Sequence, residues 1–350
     1  MVVGAQGVRV RPIEHRIGEA LRLPPLLVWV AATLIFLVLC TAWHNATGAW
    51  RGFTVDGEPF WRTPWRLEIV FAVILGYVLA CGEWIVRSAQ RDLDATAPAL
   101  AIPPSELATE RAGLGLFSPL VLLVATLGGA AAGIVVHSLV NTLLPPGHSA
   151  LDDRAWRLLR DVAIWIFSAR LVVAMVAASR RVSKLSEGTA RIDLLDLRAF
   201  APLARIGLRN ALAFALAASL IAAMTSDEIA LPVTLATVAL VAAVGAFTVV
   251  LPVLGVHRAI RAAKEAELRS VRAAIDRARG AALAPGATRA EDEGASRLGG
   301  VLALEARIAG ASEWPFDVGT FARFTLFLVL PLASWIAGAL VEWLVSRALG

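Results

Sequence analysis

Glu83, His137, Asn141, Arg170 and Glu342 all stand inside stretches of this chain that are otherwise apolar. Hydrocarbon penalises each of these groups, so each must be paired, reach an interface or line a polar path. In the run that holds His137, the small residues Ala125, Gly129 and Gly133 recur every four positions, and His137 and Asn141 continue the same face. An imidazole there serves either as an interhelical hydrogen bond near the outer interface or as a titrating group in a polar pathway. Ser334, Gly338 and Glu342 form a matching face in the last apolar run. Counted from opposite directions, Glu342 and His137 reach a similar depth, about 25–30 Å from the inner boundary. Such a pair could bind a cation, pass a proton or simply be structural.

Arg170 lies about 12 Å from the inner end of its run at the rise of an α-helix. Glu83 sits a few residues inside the same boundary, so an Arg170–Glu83 pair is expected, structural before substrate-binding. The Ala125, Gly129, Gly133 stripe lets two backbones approach closely, which reads first as packing within the chain and second as dimerisation. Cys40 and Cys81 fall near opposite faces of the membrane, too far apart in depth for a disulfide, and form no CxxC pair. GxxxxGK[ST], HExxH, GxSxG and EF-hand patterns do not occur. No catalytic, cofactor-binding or metal-ligating set is therefore expected. His257 opens a charged helix and reads as a solvated or headgroup-contacting histidine.

The elements that must position these groups are seven runs long enough to span a bilayer: Pro24–Trp43, Leu67–Val86, Phe117–Leu144, Val162–Ala178, Arg209–Thr225, Ala230–Val256 and Phe324–Val345. A spanning helix needs about 20 mostly apolar residues. With 58% hydrophobic residues and a mean hydropathy of +0.69, the chain exceeds an ordinary soluble domain. The expected class is all-α, a polytopic transmembrane helix bundle. The fourth run is the weakest because Arg170 interrupts it. Arg9, Arg11, Arg16 and Arg22 precede the first run as in a secretory signal, but its length and the lack of a cleavage site read as a retained anchor.

A pI near 10.1 would point to nucleic acid in a soluble protein. Here the basic residues are what cytoplasmic loops carry, and no nucleic-acid partner is expected. Arginine collects before the first run, between the second and third, between the fourth and fifth, and from Arg258 to Arg323, all on one side of a seven-span chain. The bias gives N-in and C-out. Trp43, Trp61, Trp65, Trp156 and Trp343 then mark the outer boundary, with Trp84 and Trp314 near the inner one. The inner connection Arg87–Leu114, with Pro98, Pro103 and Pro104, reads as irregular loop. Leu194–Arg209 reads as an interfacial helix or a break before the fifth span.

After the sixth run, His257–Arg279 has no helix breaker, and Leu268, Val271, Ile275 and Ala278 set a narrow apolar stripe. Ala287–Ser296 reads as a flexible acidic linker. Leu298, Leu302, Glu305 and Ile308 then suggest a returning amphipathic helix, giving a cytoplasmic helical hairpin between spans six and seven. The division is residues 1–256 for the first six spans, 257–313 for the hairpin and 314–350 for the last span. The charged helix after the sixth run and the segment Glu313-Trp314-Pro315-Phe316-Asp317 resemble bacterial polytopic inner-membrane proteins that are themselves uncharacterised. The resemblance covers the last third of the chain and implies no activity. The near absence of lysine beside arginine and the alanine-rich helices fit a bacterial chain.

The expected function is a non-enzymatic assembly, sensory or partner-docking protein of the bacterial inner membrane. Its partners would be anionic headgroups and, through the hairpin, a protein or a second copy. The alternative is a small-solute or ion transporter or channel that uses the intramembrane Arg, Glu and His residues. Topology is the first thing to check. Single cysteines placed in 44–66 and in 287–296 should be labelled from opposite sides of the membrane; labelling from one side would overturn the seven-span frame.

Overall fold

Among the described residues, five helices are long and apolar enough to cross a membrane: Pro25–Thr47, Leu67–Leu100, Pro119–Leu139, Arg154–Glu187 and Leu197–Leu220. The computed structural model describes residues 2–4, 7–20, 22–48, 65–143, 151–189, 192–194, 196–222, 239, 243–248, 250–282 and 290–314, with 319, 322, 323, 325 and 326 besides. All but residues 325 and 326 of the seventh expected span, Glu342 included, and about half of the sixth lie outside the described residues.

A short antiparallel ribbon, β1 (Val2–Gly4) and β2 (Gly7–Arg9), opens the chain. It leads into α1 (Ile13–Ala20) and then α2 (Pro25–Thr47). Pro25 stands in the first turn of α2, where its missing N–H costs nothing. Gly48 ends the helix in the left-handed region at φ 67°, its N–H donating to the His44 carbonyl. α3 (Trp65–Leu100) returns, α4 (Pro104–Gly113) is a short turn of helix, and α5 (Pro119–Leu143) and α6 (Leu151–Thr189) form the next pair. A 3-10 turn at Leu197–Phe200 leads into α7 (Ala201–Ala222). Residues 243–248 are helical, and α8 (Leu254–Ala282) and α9 (Ala290–Ala309) complete the described chain. The end of the bundle holding α1 and the α3–α4 and α6–α7 connections is called basal below, and the opposite end apical.

α3 is the central helix: 67% of its apolar window is buried, against 17% for α2 and for α5. It packs on α2, α6 and α7. Gly76 admits α2 closely, for a Cβ there would lie 2.7 Å from the Trp29 carbonyl oxygen. The Trp29 indole N–H donates to the Val73 carbonyl at 3.0 Å across the same contact. The outward faces of α2 and α5 expose leucine, isoleucine and valine, among them Leu34, Ile35, Val38, Leu123, Val124 and Leu127. Apolar faces of this kind are what a lipid-facing helix presents.

α5 is joined to α6 along the small-residue stripe. A Cβ on Gly129 would sit 2.6 Å from the Ile166 Cα, and one on Gly133 2.7 Å from the Val162 Cα. Ala125 is buried on the same face. The stripe therefore serves packing within the chain.

Several local expectations are corrected. The stretch from Arg87 to Leu114 is not irregular loop: α3 continues to Leu100 with Pro98 inside its last turn, and Pro103 and Pro104 begin α4. Proline starts helices as readily as it stops them. Burial of Leu93, Leu100 and Leu114 against Val182, Leu203 and Phe200 makes this region a second core beyond the apolar spans. Of the two readings of Leu194–Arg209, the break fits and the separate interfacial helix does not; Asp196 accepts from the Arg198 backbone N–H at 3.3 Å and the chain turns straight into α7. α6 runs through Arg170 without a break. The acidic stretch read as linker is helical from Ala290, with Glu291, Asp292 and Glu293 at an N-terminus, where the helix dipole favours carboxylates.

α9 returns along α8. Val271 and Ile308 are buried, Leu268 and Ile275 half-buried, and Arg272 pairs with Glu305 at 2.9 Å. At the base, His257 stacks on Trp314 with ring centres 4.1 Å apart and hydrogen-bonds the Glu313 carbonyl at 2.9 Å. Lys264 donates to the Ala311 carbonyl at 2.9 Å. His257 is thus partly buried in a tertiary contact, where a solvated or headgroup-contacting side chain was expected. Replacing Gly129 or Gly133 by leucine should drive α5 from α6 and lower the melting temperature in detergent. Gly128→Leu, where nothing lies within 4 Å of an added Cβ, should be tolerated.

Candidate functional site

The buried charges gather in three sets along α3 and α6. Glu68 lies in the first turn of α3, where the helix N-terminus favours a carboxylate. It is 3% exposed and pairs with Arg160 of α6, itself 7% exposed. The Trp156 indole N–H donates to Glu68 Oε2 at 3.1 Å, and the Cys40 thiol approaches the same oxygen at 3.6 Å. Arg160 also lies 3.6 Å above the centre of the Phe71 ring and donates to Asp161 at 3.1 Å. Asp161 in turn accepts from His137 Nδ1 at 2.8 Å. His137, Asp161, Arg160 and Glu68 are therefore one connected apical network, joining α5, α6 and α3. His44 completes its edge, its Nδ1 donating to the Cys40 carbonyl at 2.8 Å.

The basal cluster is built by α1. Arg170 pairs with Glu14 at 2.9 Å, where Glu83 was expected. Glu83 pairs instead with Arg87, one turn further along α3. The correction has a simple cause: the segment before the first span folds back as α1, and its carboxylate reaches Arg170 from below. Arg170 is nevertheless in the protein interior, 16% exposed. α1 sits tightly on α3, since a Cβ on Gly18 would strike the Glu83 carboxylate and one on Gly82 would lie 2.7 Å from His15 Nε2. Val10 and Phe117 exchange backbone hydrogen bonds of 2.8 and 2.9 Å that fasten the strand before α1 to the α4–α5 connection. His15 is 4% exposed, and burial, with Arg11 and Arg170 alongside, pushes its imidazole down to about 4.

A third charge set lies deeper at the basal end. Asp92 of α3, 4% exposed at its side chain, pairs with Arg209 and Arg205 of α7, the latter at 3.3 Å. Arg181 pairs with Glu110, and Arg111 with Asp94. From the sequence, Asp92, Asp94, Glu110 and Arg111 were expected in irregular loop, and Arg205 and Arg209 in an interfacial helix or break before the fifth span. The four-residue spacing of Arg205 and Arg209 was the available signal, since it puts both guanidiniums on one helix face.

Of the expected polar residues, the structure gives His137 a partner in Asp161, and Arg170 one in Glu14. It leaves them at different depths and brings neither to Glu83 by an ion pair. Asn141 lies in α5, its side chain outside the described residues, as does Glu342. Cys40 and Cys81 are free thiols; the Cys81 thiol donates to the Tyr77 hydroxyl at 3.5 Å. Among the described residues, no three His, Cys, Asp or Glu side chains form a group able to hold a metal ion. What the arrangement does chemically is neutralise charge inside an apolar bundle and tie helices together.

Breaking one partner should be costly, because the other is left as an uncompensated buried charge. Arg160→Met should destabilise the protein by about 3–5 kcal/mol. Adding Glu68→Leu to that variant should recover most of the loss, as replacing a whole buried pair by apolar groups is close to neutral. Thermal melts of the three proteins in detergent measure both steps. Compared with known proteins, the chain matches no family model, no curated protein and no solved structure.

Proposed function

We propose that the protein is a non-enzymatic, multi-pass protein of the bacterial inner membrane, N-in and C-out with seven spans, that presents the α8–α9 hairpin as a cytoplasmic docking element. The observation that carries this reading is the way the hairpin is mounted. α6 is a single helix of 39 residues, long enough to cross the bilayer and continue beyond it. α8 crosses its end at a point where Gly255 meets the Ser183 backbone with no room for a side chain. Val256 and Ile260 of α8 join the basal core with Val182 and Leu203. Contacts of this kind hold the hairpin in a set direction from the bundle, which favours a mount for a partner over a loosely tethered tail.

Two further features support the reading. The arginines of α1, α3, α4, α6, α7 and α8 fall mostly at the basal end, in keeping with a cytoplasmic position for it. Leu302 and Leu304 of α9 stay 46% and 40% exposed beside the packed stripe, an apolar edge available to a protein or a second copy. The transport alternative draws on one observation, the linked His137, Asp161, Arg160 and Glu68 network. Against it, the apical and basal clusters are each closed by their own pairs, and the helices that carry them are unbroken, whereas transporter sites sit at broken helices.

A photo-crosslinking side chain at 302 or 304 should give one discrete product in cells, and one at 277 should not. Val271→Asp removes apolar burial worth about 1.5–3 kcal/mol. It should unpack the hairpin and abolish the product while leaving membrane insertion intact. A cross-link pattern indifferent to position, together with proton flux in proteoliposomes that Glu68→Gln abolishes, would favour the transport reading instead.

A further inference from the structure

The sixth apolar run is interrupted just before the hairpin. Residues 243–248 and 250 are helical, residues 251–253 form a turn, and α8 starts at Leu254. Proline is the cause: Pro252 has no N–H to give the carbonyl four residues earlier, which belongs to Thr248. Backbone bonding runs up to the gap and resumes after it. The Leu251 N–H donates to the Phe247 carbonyl at 3.2 Å, that of Val253 to Val250 at 3.1 Å, and that of His257 to Val253 at 2.9 Å. The Thr248 carbonyl is the acceptor that the helix cannot satisfy by itself, and Thr248 is fully buried. A backbone oxygen shut away from water needs a donor from elsewhere.

Asn210 of α7 supplies it. Its Nδ2 donates to the Thr248 carbonyl at 3.2 Å and to Ser179 Oγ of α6 at 3.2 Å. Asn210 is 1% exposed and Ser179 is fully buried. A carbonyl only accepts, so the amide must turn its NH2 group towards Thr248. Oδ1 is then enclosed with no hydrogen-bond partner, and the Thr248 hydroxyl is spent on the Gly245 carbonyl at 2.9 Å. An apolar side chain at 210 would avoid that loss, so what the amide contributes is its two N–H bonds. One turn along α7, Phe214 closes on Gly245, where a Cβ would lie 3.0 Å from the Phe214 Cβ. Beyond the turn, Gly255 meets the Ser183 backbone, on the same face of α6 as Ser179. The interruption is thus held on both sides, by different forces. Gly255, Val256 and Ile260 make steric and apolar contacts, which are non-directional and let α8 rock. The Asn210 bond prescribes a direction.

We propose that Pro252 is a hinge and Asn210 its latch: the amide captures the carbonyl that proline sets free and so fixes the angle at which α8 leaves the bundle. Asn210 acts as a positioning residue. Arg209, its neighbour in sequence, pairs with Asp92 of α3, so the latch moves with the contact between α3 and α7. A slide of α7 by about 1 Å carries the amide out of reach of Thr248 and releases α8 to rock. A movement inside the bundle is thereby turned into a change in direction of a helix of 29 residues. Control of docking by this latch rests on the reading of the hairpin as a docking element; the latch itself does not, and distances within one chain report it.

The test uses the full chain in lipid nanodiscs, with spin labels on cysteines placed at Ala108 of α4 and Arg277 of α8, both exposed, while Cys40 and Cys81 are buried. Pulsed dipolar spectroscopy should give one narrow distance distribution for the native sequence. Asn210→Leu should widen it at least twofold or split it. Pro252→Ala returns an N–H to the Thr248 carbonyl, and in that background Asn210→Leu should leave the width unchanged, because the latch has nothing left to hold. Ser179→Ala, which removes the other bond of the same amide, should keep the native distribution. Should Asn210→Leu fail to fold, Asn210→Ala in the same two backgrounds reads the same coupling. A distribution that stays narrow in the Asn210 variants, or that widens equally with and without Pro252, overturns the latch, and so does equal widening by Ser179→Ala. The distances report the latch whether or not a cross-link forms at 302 or 304, so latch and docking fail separately.

Discussion

A guanidinium in the middle of an apolar helix must find a carboxylate, and in this protein the carboxylate comes from outside the span. Arg170 stands within α6, and Glu14 reaches it from α1. Much of the basal architecture follows. α1 has to lie flat against α3, so Gly18 and Gly82 have no side chains to obstruct it. The strand before α1 is pinned to Phe117, and the turn out of α1 passes through Arg22 at φ 52° before α2 can start. The N-terminal segment is thereby part of the bundle. Its arginines take part in the packing: a Cβ on Gly115 would lie 3.3 Å from Arg11 Nη2.

The apical end meets the same constraint by a different route. Arg160 and Glu68 sit on the two long helices of the bundle, and Asp161 carries the network across to His137 on α5. α5 otherwise touches α6 through glycine and alanine, where dispersion and close backbone contact do the work that the hydrophobic effect cannot do in lipid. The hydrogen bond at His137 fixes the register of that seam at one end. Peripheral helices held along a single seam can expose the rest of their surface to lipid at no cost, as α2 and α5 do.

At the basal end the chain builds a core that does not depend on lipid. Leu93, Leu100, Val182, Leu203 and Ile260 bury one another where α3, α6, α7 and α8 extend past the apolar segments, and Asp92 binds α7 by two guanidiniums. This core gives the hairpin something rigid to stand on. It also explains why so many basal arginines are occupied: Arg87, Arg111, Arg181, Arg205 and Arg209 each hold a carboxylate. The basic residues on which the proposed orientation rests are thus in part the ones that hold the fold together.

Hydropathy and helical period determined the five apolar helices long enough to span, the small-residue face on α5 and the apolar stripe of α8; on α9 they gave the helix and Ile308, while Leu302, expected in the packed stripe, stays exposed. These are local properties, since a 20-residue apolar run or a four-residue repeat has one stable way to satisfy its backbone and bury its face. The tertiary structure alone decided who pairs with whom. Glu83 and Glu14 are equally plausible partners for Arg170 by depth, and only the folding back of α1 selects Glu14. Arg87–Leu114 carries loop-like prolines, yet becomes helix because α6 and α7 offer Leu93 and Leu100 a place to be buried. Asp161 is one of several acids near His137 in sequence terms, and only the α5–α6 crossing brings it to 2.8 Å. Pairing of charges depends on distances between elements, and those distances are set by packing, which no single segment encodes.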